Sequence, residues 1–201
     1  MDDQERFGSE SLPGLSAKGE ARRRFTKSGS ALTGVILTMA SRNGMATTVV
    51  RGATPSGFMS ATVNSHSPST SPLGRSPGYW KNHPEAWPSA HTDPTLKFGR
   101  VFTCPRSSPL YNCDLMNVVG NDEPSKSADR ENVAMHIVAS LLNVRAHLIT
   151  CLDEYKVFDI WNGYLKGGYV PVAGATPWNG CQIVRYLQST MDVDYIGTCG
   201  A

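Results

Sequence analysis

A chain of 201 residues with 40% apolar and aromatic side chains and a formal charge of +2 has the composition of a globular protein, which excludes a wholly disordered one. The charge is uneven, because residues 1–46 hold seven Lys/Arg and five Asp/Glu and leave twelve of each sign for residues 47–201. A formally neutral body lacks the basic footprint of a nucleic-acid-binding domain, so no nucleic-acid partner is expected.

Residues 1–20 are polar, rich in Gly, Ser and Glu, and without hydrophobic period, so disorder is expected there. The basic cluster Ala21–Lys27 then leads into the modestly apolar run Ser28–Ser41 and the small residues Gly44-Met45-Ala46. That is the plan of a cleavable export signal ending at Ala46. The order Arg22-Arg23-x-Phe25-Thr26-Lys27 resembles the twin-arginine signal. The Gly, Ser and Thr of the run, and Arg42 beside the cleavage site, resemble twin-arginine leaders more than Sec leaders. The run is shorter and more broken than the roughly 20 apolar residues a membrane span needs. Cleavage would leave 47–201 as one domain outside the cytoplasm: periplasm, cell surface or extracellular space. The export machinery is then one implied partner.

Thr47–Val63 is β-branched at both ends and interrupted by Pro55 and Gly57, which predicts two short strands. Asn64–Arg75 is rich in Ser and Pro and reads as a linker. Ser76–Pro88 packs Tyr79, Trp80, Lys81, Asn82, His83, Glu85 and Trp87 between three prolines, as a shaped loop entering a turn of helix. Leu96–Phe102 alternates and reads as extended, and Leu110–Val119 as one short helix. Val133, Ile137, Leu141, Val144 and Leu148 fall at helical spacing, with Ala134, Val138 and Leu142 widening the stripe. This predicts a central helix over about 128–148, capped by Ser127, with Asp129 and Glu131 in its first turn. Further helices are predicted from Leu152 to Leu165, ending at Gly167-Gly168, and from Trp178 to Met191. The expected fold is mainly α: a small helical domain (76–201) around one long helix, after a β-prone segment and linker (47–75).

The five cysteines are Cys104, Cys113, Cys151, Cys181 and Cys199, without a C-x-x-C pair. In an exported chain they imply one or two disulfides, and the short loop between Cys104 and Cys113 makes that pair the favoured one.

Gly78-Tyr-Trp-Lys-Asn-His-Pro84 with Trp87-Pro88, then Leu96-Lys-Phe-Gly99, then Ala134-Met-His-Ile-Val-Ala-Ser-Leu-Leu-Asn143, occur in that order. Together they resemble a module of secreted and cell-surface bacterial proteins, over roughly residues 76–148. Ile160-Trp-Asn162 and the Trp178–Met191 helix resemble its closing part. The resemblance implies export, display at or beyond the envelope and a helical fold. It carries over no catalytic residue.

Chemistry is sparse. His66, His83, His91, His136 and His147 include no H-x-x-x-H, and the oxygen clusters Asn121-Asp122-Glu123 and Asp192-Val-Asp194 lack calcium-loop spacing, so no metal or cofactor is expected. His136 and His147, three turns apart on one predicted helix, are too distant to share an ion. No nucleophile elbow or phosphate loop occurs. The reading is a non-enzymatic structural or binding protein, self-assembling or attached to a cell-surface polymer. Tyr79, Trp80, Lys81, Asn82, His83 and Trp87 are its candidate binding residues. The alternative is a secreted hydrolase or metal-dependent enzyme using His83, Glu85 and His136. Against both stands a purely structural role, in which Trp80 and Trp87 plug the core against the long helix.

Overall fold

The computed structural model describes residues 50–61, 72–194, 196, 197 and 199. The leader residues Arg22, Arg23, Phe25, Lys27 and Ala46, together with His66, lie outside them. Residues 46–201 form a single compact unit. Among the described residues the chain is mainly helical, with isolated bridges but no sheet or barrel.

The expected strands give way to helix α1, Pro55–Ala61. Pro55 and Gly57 do not break the segment, because Thr54 Oγ1 accepts the Gly57 N–H at 3.2 Å and Pro55 opens the first turn, where a missing N–H costs nothing. α2 spans Pro77–Asn82, with Ser76 as N-cap accepting from Tyr79 N–H. A 3-10 helix over Pro84–Ala90 follows. The stretch read as extended is largely α3, Phe98–Val101, preceded by one antiparallel bridge between Lys97 and Asp114. The expected helix over 110–119 divides into a 3-10 turn, Pro109–Asn112, and α4, Leu115–Val119.

The long helix starts later than its apolar pattern suggests. α5 covers only Ser125–Ala128, and α6 runs Val133–Arg145. Ser127 is not its cap. Asp129 stands outside α6 and draws the amides of Val133, Ala134 and Met135, the last at 2.9 Å. A short carboxylate beside open backbone donors competes with helix continuation, which breaks the run in two. His147, predicted on the same helix as His136, lies beyond its end in a left-handed turn, φ 54°.

α7, Glu154–Leu165, is capped by Asp153, and Gly167 takes φ 99° after it. α8, Gly180–Ser189, opens on a capping box in which Asn179 and Gln182 exchange bonds of 3.0 Å. α6 is the axis of the unit, packed by α2, the first 3-10 helix, α4, α7 and α8, and ten of its thirteen residues are buried. The chain before α2 is strapped to the end of α8. Gly52 N–H donates to Ser189 O, Gly74 N–H to Thr190 O, and Phe58 packs edge-on to Trp178 and Tyr186.

The favoured cysteine pair is not the bonded one. Cys181 and Cys199 form the disulfide, while Cys104, Cys113 and Cys151 are thiols. Each thiol of the 104–113 loop turns onto a carbonyl of its own turn, Cys104 to Pro105 and Cys113 to Pro109.

Candidate functional site

The 76–90 segment separates into an inner and an outer half. Trp80 is 1% and Trp87 0% exposed, with their rings edge-to-face 6.4 Å apart against α6. Neither indole N–H is left over: Trp80 Nε1 donates to Asn143 Oδ1 at 3.1 Å and Trp87 Nε1 to Trp80 O at 2.9 Å. Asn143, fully buried on α6, also accepts from Arg75 N–H and donates to Arg75 O. Gly74 is required beside it, since a Cβ there would stand 2.5 Å from the Asn143 amide.

The outer half is held by short-range contacts. Tyr79 stacks on His83 at 4.3 Å, and Arg75 lies over the Tyr79 ring at 4.9 Å. His83 Nδ1 meets Glu85 Oε1 at 2.7 Å. Bonds to Glu85's own backbone and to His83 hold its carboxyl below the usual range. Lys81 does not pair with Glu85, four residues on, but with Asp122 and Gly120 O. Asn82 is exposed. The sequence-derived binding set therefore divides: Trp80 and Trp87 are core, Lys81, Asn82 and His83 face outward, and half-buried Tyr79 lies between, its ring already carrying three partners in His83, Arg75 and Trp80.

The enzymatic trio is not one site. His136 is 5% exposed, with Nδ1 donating to Asn132 O at 2.7 Å and Nε2 facing the Gln188 amide at 3.3 Å. Burial pushes its pKa down, which favours the neutral ring. Both nitrogens are occupied away from His83 and Glu85. Among the described residues no group of three His, Cys, Asp or Glu is placed to hold a metal.

A hollow of about 450 Å³ lies at the C-terminal end of α6. Val144, Ile149 and Leu152 line it together with Arg145, Glu154, Asp153, His91 and His147. Sequence reasoning missed it, because the 144–154 stretch that supplies all of its lining but His91 matches no known binding motif. The one available signal was the placement of His91 and His147 just past helix ends.

Comparison with family models, curated proteins and solved structures finds no match to this chain. No helix among the described residues is long and apolar enough to cross a membrane.

Proposed function

We propose that the chain is an exported, non-enzymatic structural or binding protein of the bacterial envelope or extracellular space, carried out by its twin-arginine-like leader. The observation that carries this is the fate of the aromatic motif. Both indole nitrogens are spent inside the fold, on Asn143 and on the Trp80 carbonyl, so the motif acts as architecture. The motif is tied to the rest of the fold: the Trp80 loop joins Asn143 of the Ala134–Asn143 stretch, and Trp161 stands edge-on to Phe98 of the Leu96–Gly99 stretch. The Cys181–Cys199 bond is compatible with an oxidising compartment. Display outside the cytoplasm leaves self-assembly or attachment to a cell-surface polymer as the working role. Intact mass of the exported protein under non-reducing conditions tests this. The expected species begins after Ala46 and carries one disulfide. A chain that stays in the cytoplasm with residues 1–46 attached would refute it, and dispersed monomers in negative stain would remove the self-assembly branch.

A further inference from the structure

The hollow at the end of α6 is built around a fixed ion pair. Arg145 Nε and Nη2 donate to the two oxygens of Glu154 at 3.1 and 3.0 Å, and Nη1 donates to Thr92 Oγ1 at 3.1 Å. Thr92 is itself buried and donates to Ala90 O at 2.8 Å. Three-point anchoring pre-organises the guanidinium, and its charge is cancelled by the paired carboxylate. Asp153 already accepts the Lys156 N–H in capping α7. With one guanidinium against the carboxylates of Glu154 and Asp153, the rim disfavours an anion, and no three-ligand metal set exists among the described residues.

What remains is a mixed rim over an apolar floor. Three of the five N–H donors of Arg145 are used, each carboxylate keeps acceptor capacity, and the imidazoles of His91 and His147 offer one donor and one acceptor apiece. Both histidines sit in left-handed turns past helix ends, φ 47° and 54°, which fixes where their rings start. Ile149 and Leu152 form the floor. Adjacent hydroxyls, each both donor and acceptor, match such a rim, and the C–H face of a sugar ring matches such a floor. The volume falls within the range of about 300–1,000 Å³ found for small-ligand sites. We propose that this hollow binds the end of a neutral saccharide chain. This deepens the surface-attachment reading and rests on it for where the sugar is met, but not for binding itself.

The test titrates the full chain while following the ring signals of its five histidines by NMR. Probes are maltotriose, cellotriose and triacetylchitotriose, with trigalacturonate and inorganic phosphate as charged controls. At least one neutral trisaccharide is expected to shift the His91 and His147 signals saturably. Val144→Phe, which fills the hollow, and His147→Gly, which keeps the left-handed turn, should each weaken binding by about tenfold, the loss of one or two polar or packing contacts. Melting temperatures of both variants check that each remains folded. No saturable shift with any neutral trisaccharide, a response to phosphate or uronate alone, or undiminished binding by Val144→Phe overturns the proposal. Failure of export appears separately, as unprocessed cytoplasmic protein that still binds sugar.

Discussion

Two neighbouring regions, the aromatic motif ending at Ala90 and the hollow beginning at His91, use their polar atoms in opposite ways. In the motif, crowded aromatic and polar residues are spent on one another: Trp80 on Asn143, Trp87 on Trp80, Asn143 on Arg75. In the hollow, His91 and the 144–154 turn leave donors and acceptors facing an open volume. Local density of chemically versatile side chains is thus a poor guide to function here. What distinguishes a site is capacity left over after the fold is satisfied.

Substitutions can break that contrast. The largest effect is expected from Trp87→Ala, a fully buried ring whose loss costs about 3–5 kcal/mol, seen as a large fall in denaturation midpoint. A loss under about 1 kcal/mol would mean that the motif is not core. Next comes Asn143→Ala, which strands the Trp80 indole and the Arg75 backbone and should cost about 1–3 kcal/mol or more. Asp129→Ala removes the acceptor for the first amides of α6 and should cost about 1–2 kcal/mol by the same measurement.

His136 gives a pH signature. Its folded pKa lies below the unfolded one, so the unfolded chain takes up the proton first and stability falls as pH drops through about 6.5. His136→Gln should flatten that part of the profile between pH 7 and 5, and an unchanged slope would place the sensitivity elsewhere. Smallest is Lys81→Ala, whose partly exposed pair with Asp122 is worth about 0–1 kcal/mol and should barely move the midpoint. A loss as large as that of Asn143→Ala would erase the distinction between inner and outer halves.

The helical class, the central helix, the α7 and α8 segments and the burial of Trp80 and Trp87 against α6 were all legible, because each rests on hydrophobic period or ring size. The elements that misled did so through competing local bonds. Thr54 turned a Pro-Gly stretch into a helix start, and Asp129 cut the long apolar run by capturing amides. The disulfide was illegible because its partners are set by the path of the tail after α8, while the closer-spaced Cys104 and Cys113 bond to carbonyls of their own loop. Of the candidate site, sequence located the motif and the inward turn of its two tryptophans, but the hollow not at all. Its lining meets only once α6 and α7 are packed.

The strap between the two ends of the domain also sets an order of events during synthesis. Arg51 donates to Val193 O across 142 residues, Gly52 waits for Ser189, and Gly74 pairs with both Thr190 and Asp192. None of these partners exists while the ribosome is still making α6. The strap at 51–74, made early, is therefore among the last parts of the domain to find its place. α4 and α6, by contrast, are neighbours in sequence as well as in space and can pack as soon as α6 is made. A nascent chain halted before Trp178 would carry an undocked Phe58 and a separated Gly52, and Gly52 must wait further, until Ser189 is made.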